Sequence, residues 1–226
     1  MPHMSWRFAL VAVAGLWGDS CAVADDAEEK AVKYIEGLGG QVKREETKAG
    51  KPIVTIFLNN TEVTDDGLMH VAHLQHLTGL YLTKTEVTDV GLKQLTSLTS
   101  LSSLVLAHTQ VTDDGLKHLA PLTQLTLLAL NSTRVTDAGL KHLAPLTNLT
   151  TLVLADTKIT DDGLKHLAPL TNLRVLLLSD TQVTDGGLKH LAPLTNLSYL
   201  SLSGTKVTDS GIKKLQHILP KCEIMS

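Results

Sequence analysis

The chain has 226 residues, 43% of them hydrophobic and 19% charged, with a formal net charge of −3. That composition describes a folded globular chain, and its slightly acidic balance speaks against a general nucleic-acid binder. Aromatic residues make up only 3% and there are two cysteines, too few for the stacking platforms of single-strand binders, a disulfide scaffold or a structural zinc site.

Arg7 precedes an apolar run over residues 8–18, and Ala22-Val23-Ala24 supplies the small residues of a cleavage site. The run is too short to span a bilayer, so residues 1–24 read as a secretory signal peptide and the expected location is extracytoplasmic, secreted or periplasmic. Cleavage after Ala24 removes Cys21 and leaves Cys222 as the one cysteine. No later segment reaches the ~20 apolar residues of a membrane helix. Residues 25–38 predict a helix with Ala31, Ile35 and Leu38 on one face, ended by Gly39-Gly40. Two strands follow, over 41–46 and 52–58, joined by a Lys-Ala-Gly-Lys turn. Residues 25–52 then form an N-terminal cap, since the open end of a stack of repeats needs a polar cover.

One internal repeat dominates the rest, over residues 53–219. The tripeptide Val/Ile-Thr-Asp recurs with its threonine at 64, 88, 112, 136, 160, 184 and 208, every interval being 24 residues. Glycines keep step at 67, 91, 115, 139, 163, 187 and 211, and apolar pairs such as Leu104/Leu106 and Leu128/Leu130 precede each unit. Within a unit, Leu104 and Leu106 alternate inward on a short strand while Ser103, Val105 and Ala107 point outward. The Thr109 hydroxyl is placed to satisfy a buried backbone group as the chain turns. Thr112 or Asp113 caps a short helix that buries Leu116 and Leu119 and that Pro121 stops. One unit cannot bury its leucines alone, so neighbours stack into a solenoid with a concave parallel sheet and short convex helices. Residues 220–226, with Ile224 continuing the series, predict a truncated final strand.

The Leu101-Ser-Ser-Leu104-Val-Leu106 spacing at this period resembles the leucine-rich-repeat superfamily. The Val135-Thr-Asp-Ala-Gly-Leu140 half resembles a subclass found in secreted planctomycete repeat proteins and in the cysteine-containing repeats of F-box proteins. The F-box itself is lacking here, and threonine stands at the usual cysteine position. Segments such as Leu143-Ala-Pro-Leu-Thr-Asn-Leu149 are also similar to bacterial internalins, which use a shorter period. The resemblance implies an α/β horseshoe and a protein-binding role, each member having its own partner.

Three constellations invite a chemical reading. His118, His142, His166 and His190 fall at one helix position of successive units, where aligned imidazoles could meet a metal or, when protonated, repel one another. Gln94 and Lys214 fill the same lane, which favours a copied solvent-facing position. Asp156 and Asp180 lie in adjacent units at the rim of the concave face, where an acidic rim is the simpler reading than calcium. The Asp-Asp pairs at 65/66, 113/114 and 161/162 sit at helix starts, where capping and the helix dipole explain them. Nothing forms a catalytic triad, a phosphate loop or a glycosidase pair, so the chain is read as a non-enzyme without cofactor or metal.

The concave face carries the functional expectation. Its outward lanes hold 21 residues at the positions of 55, 57 and 59 in each unit, and none is charged. The overall composition would place about four charges there, and charge depletion is what interface cores show. Phe57, Tyr81, Val105, Leu127, Val153, Val175, Leu177 and Tyr199 are the expected contacts of a protein or peptide partner. Strand propensity alone favours many of the same residues. Beside them runs a rim from Glu62 and Glu86 to Lys158 and Lys206, a gradient able to orient a partner. The alternative is a structural, envelope-associated protein that binds itself or a surface polysaccharide.

Overall fold

The computed structural model describes residues 18–48 and 50–226. Except for Gly18, the apolar run at 8–18 lies outside the described residues. Helix α1 (Gly18–Gly37) begins earlier than the sequence pattern suggests, since no proline or glycine interrupts residues 19–36. It passes through the Ala22-Val23-Ala24 segment. Two strands follow, β1 (Gln41–Arg44) and β2 (Ile53–Phe57), shorter than expected: the turn between them takes residues 45, 46 and 52, and Leu58 lies past the end of β2.

From β2 onward each unit contributes one short strand: β3 (Gly79–Tyr81), β4 (Ser103–Val105), β5 (Leu127–Ala129), β6 (Thr151–Val153), β7 (Val175–Leu177), β8 (Tyr199–Ser201) and β9 (Glu223–Met225). They form one nine-stranded sheet in sequence order, parallel except for the antiparallel β1–β2 pair. Every parallel pair joins residues one repeat apart, as in Leu80, Leu104 and Leu128. That register follows from alternation, because a one-residue slip would turn the leucines out to water. Leu104, Leu106, Leu128 and Leu130 are fully buried, and one continuous hydrophobic core runs from Ala31 to Cys222.

The convex side is built from very short pieces: α2 (Asp89–Gln94), α3 (Asp113–Leu116), α4 (Asp137–Leu140), α5 (Asp161–Leu164) and a longer α6 (Asp209–Ile218). Each of α3, α4 and α5 tightens at once into a 3₁₀ turn, such as Lys117–Leu119. Pro121 lacks the amide that would extend the helix, and although Ala120 before it keeps helical dihedrals, φ −53° and ψ −36°, the regular helix goes no further.

Two sets of threonines close the unit. Thr61, Thr85, Thr109, Thr133, Thr157, Thr181 and Thr205 each donate to the leucine carbonyl three residues earlier at 2.6–2.8 Å. The chain between strand and loop is turned by a left-handed residue, φ +54 to +58° at Asn60, Lys84, His108, Ser132, Asp156 and Asp180.

The second set joins units to one another, which changes the role expected of the aspartates. Thr112 is the N-cap of α3, accepting from the Asp114 amide at 3.3 Å. Its own amide and hydroxyl both donate to Asp89 of the preceding unit, at 2.8 and 2.6 Å. The same two bonds link Asp65 to Thr88, Asp113 to Thr136, Asp137 to Thr160, Asp161 to Thr184 and Asp185 to Thr208. The first aspartate therefore serves the next unit rather than capping its own helix. Of the second aspartates, Asp114 and Asp162 pair with Lys117 and Lys165. The glycine two residues beyond makes room for this: a Cβ at Gly115, Gly139 or Gly163 would fall on the carboxylate of Asp89, Asp113 or Asp137.

At the N-terminal end Gly67 has no preceding unit, and the Tyr34 hydroxyl of α1 occupies that place instead. Tyr34 stacks on His70 at 4.4 Å, Ala31 and Ile35 are fully buried, and Arg44 pairs with Glu28 to tie β1 to α1.

Gly139→Ala should destabilise the chain by about 2 kcal/mol or more, the scale of a buried steric conflict. Asp113→Ala should cost about 1.5–3 kcal/mol through its lost charge-assisted bonds. In the double variant the glycine substitution should become far cheaper, because its clash partner is gone. Additive losses in denaturant titrations would show that Gly139 is small for some other reason.

Candidate functional site

The sheet register builds the concave face directly. Leu80, Leu104, Leu128, Leu152, Leu176 and Leu200 point into the core, so the residues on either side of each point out. One outward row runs Thr55, Gly79, Ser103, Leu127, Thr151, Val175, Tyr199, and the next runs Phe57, Tyr81, Val105, Ala129, Val153, Leu177, Ser201. All eight expected contact residues, Phe57, Tyr81, Val105, Leu127, Val153, Val175, Leu177 and Tyr199, lie on these two rows and are half-buried. Ala107, Ala129 and Ser201 are buried at 5%, 7% and 9% exposure because their short side chains sit below their neighbours.

Phe57 stacks on Tyr81 with ring centroids 4.8 Å apart and an interplanar angle of 23°. The pair forms an aromatic end to a face that is aliphatic through its middle. Strand β1 does not cover Phe57 but extends the sheet beside it, pairing Gln41 with Phe57 and Lys43 with Thr55. At the other end Glu223 and Met225 pair with Tyr199 and Ser201. Charge thus appears only at the two outermost strands. The rim gradient is less simple than the sequence lane suggests. Lys84 neighbours the acidic Glu86, while Asp156 neighbours the basic Lys158, so the adjacent row offsets the gradient at both ends.

The other constellations resolve differently. Asp156 and Asp180 are exposed turn residues in left-handed conformation, and the Asp180 carboxylate leans over Gly204. Among the described residues no group of three His, Cys, Asp or Glu side chains comes together to hold a metal. His118, His142 and His190 are half-buried on the convex side and His166 is exposed. The imidazole pKa of His142 is lowered first by burial and then by Lys141 and Lys117, with Asp113 and Asp114 opposing. Lys141 and Lys117 are thus nearby cations that oppose protonation of His142. At the C-terminal end burial raises the Cys222 thiol pKa, which leaves it a packing group rather than a nucleophile.

Sequence reasoning missed one feature. On the rim opposite the charged one, Gln124, Thr126, Asn148, Thr150, Asn172 and Arg174 line an open depression of ≈ 380 Å³. The available signal was Arg174, the one charged member of the series Thr78, Ser102, Thr126, Thr150, Arg174, Ser198.

Because the His142 pKa is depressed in the folded chain, the unfolded chain binds more protons there as pH falls. Stability is then lost as pH drops through the unfolded histidine value of about 6.5 toward the lower folded one. His142→Gln should lessen the fall in melting temperature between pH 7.5 and pH 5.5. An identical fall in both proteins would show that His142 contributes nothing to acid sensitivity.

Comparison with known proteins agrees with this architecture. The leucine-rich-repeat family model matches residues 73–95, 97–120, 146–168, 170–192 and 194–215, together more than half of the chain. No curated protein matches the chain. Among solved structures, internalin C2 from Listeria monocytogenes is similar, with a TM-score of 0.61 and 26% identity over 88% of this chain and 92% of that one. The internalin inlF of the same organism gives 0.46 and 22% identity over 75% of this chain, which spans 58% of the length of inlF. Repeat period, sheet register and family match together place this chain in the leucine-rich-repeat family.

Proposed function

We propose that the chain is an exported, non-enzymatic recognition scaffold that grips a protein or peptide along its concave sheet. One observation carries the reading. Behind the outward rows, each strand from β2 to β8 already closes the core with two buried aliphatic residues, as at Leu176 and Leu178. Tyr81, Leu177 and the other six expected contact residues gain no place in that core, yet they are apolar or aromatic, uncharged and half-exposed. Strand preference favours the same residue types and disfavours charge as well; what supports binding beyond it is that three of the aromatic residues, Phe57, Tyr81 and Tyr199, stand on these outward rows rather than in the core. Leucine-rich-repeat proteins being interaction scaffolds supports the same reading.

Seven strands at ~4.8 Å and three lanes make a stripe of roughly 350 Å² in projection, whereas a specific interface takes about 800 Å² per partner. The rims therefore join the contact. Export rests on the run over 8–18 and the Ala22-Val23-Ala24 segment. Among the described residues no helix is long and apolar enough to cross a membrane.

Changing Tyr81 and Leu177 together to lysine should leave the fold intact, because outward strand positions tolerate long charged side chains. Capture of the partner from the native extracytoplasmic fraction should fall about thirty-fold or more, equivalent to ~2 kcal/mol, because a desolvated ammonium there meets no opposite charge. Lys141→Glu with Lys189→Glu on the convex side is the matched control. Undiminished capture by the concave variant, with the convex one impaired, would move the binding surface to the other side. For export, sequencing of protein recovered outside the cytoplasm should begin at Asp25. Material retaining Met1 would remove the signal-peptide reading.

A further inference from the structure

We propose that the depression lined by Gln124, Thr126, Asn148, Thr150, Asn172 and Arg174 binds an acidic glycan, a hydroxyl-rich chain carrying carboxylates of the uronic-acid kind. It spans three successive units, and its ≈ 380 Å³ falls at the lower end of the range of ligand sites. Its lining is polar throughout, and Arg174 brings its one charge.

The donors and acceptors are already fixed in place. The Asn148 side-chain amide donates to the Thr123 carbonyl and that of Asn172 to the Thr147 carbonyl, each at 2.9 Å. Their Oδ1 atoms are left as acceptors, pinned one repeat apart. The Thr126 hydroxyl donates to the Ser102 carbonyl at 3.0 Å and the Thr150 hydroxyl to the Thr126 carbonyl at 3.1 Å, which leaves their lone pairs to accept. The units repeat at about the strand spacing of ~4.8 Å, so a linear ligand with hydroxyls at a similar interval meets the same groups again and again. Ordering the asparagine and threonine side chains costs little further on binding, because these bonds already hold them, whereas Gln124 and the exposed Arg174 are ordered by the ligand.

Arg174 supplies the specificity. Thr78, Ser102, Thr126, Thr150 and Ser198 all use a hydroxyl to bond the carbonyl one repeat back. Arg174 gives that bond up: the Thr150 carbonyl receives only the Arg174 and Val175 amides. Its guanidinium is exposed and makes no ion pair with a described residue. A position that forfeits a structural bond to hold an unpaired fork of donors, between pinned acceptors, is built for a planar anion that takes two of those donors at once. A carboxylate on a sugar ring has that shape, and the ring hydroxyls answer the asparagine and threonine oxygens.

The test titrates the full chain with oligogalacturonate and with its methyl ester, which keeps the sugar backbone and removes the charge. Saturable binding of the acid is expected, weakened tenfold or more by esterification. Arg174→Thr should reduce binding of the acid by a similar factor. That variant restores the row hydroxyl, so its melting temperature should be unchanged or raised, which separates lost recognition from lost folding. Equal binding of acid and ester, full binding by Arg174→Thr, or no saturable binding of the acid would each overturn the proposal. A Tyr81→Gln, Leu177→Gln variant, which adds no cation beside the anionic ligand, should bind oligogalacturonate normally, so this site and the concave-face reading fail separately.

Discussion

The relay from helix amide to threonine hydroxyl to the aspartate of the preceding unit is the interaction on which the rest of this structure depends. An isolated unit of this size has a three-residue strand and a four-residue helix, neither of which is stable alone in water. Thr112 satisfies an orphan amide of its own helix and is itself fixed by Asp89 from the unit before. Local capping and long-range stacking are thereby one event. The cost of partly desolvating the carboxylate is offset by two short, charge-assisted bonds, and at the exposed Asp185 the hydrogen bonds from Thr208 hold the carboxyl below its usual pKa.

That relay explains why the period is so strict. Inserting a residue between strand and Val-Thr-Asp would move the threonine off its aspartate, and any side chain at the glycine would displace the carboxylate. It also explains what the ends must do. At the N-terminus Tyr34 fills the space above Gly67 that a carboxylate fills elsewhere. Toward the last strand Asp209 is exposed, and the longer α6 covers Leu215 and Leu219.

Function is carried by positions that this scaffold leaves free. Core leucines, relay residues and turn threonines are committed to stacking, so variation collects on the outward strand rows and the two rims. The concave rows hold uncharged apolar groups in register. One rim interleaves acids and bases, and the other is a field of hydroxyls and amides interrupted by Arg174. A single repeated unit thus presents three surfaces of different chemistry, suited to different partners.

The 24-residue period, the inward leucine pairs and the strand–turn–helix order were legible in the sequence because they are periodic, and periodicity survives without knowledge of contacts. The outward placement of Tyr81 and Leu177 was legible for the same reason, since alternation on a strand sets the face. The destination of the aspartates was not. Asp113 looks like a helix cap until the next unit is stacked beside it, because its partner Thr136 lies 23 residues away and only the superhelix brings them together. The depression around Arg174 was hidden in the same way: Gln124, Asn148 and Asn172 are ordinary loop residues along the chain, and become one lined surface only when three units stack. What recurs along the sequence determined the fold, and what adjoins across repeats was decided by the tertiary structure, because neighbours there are one full period apart.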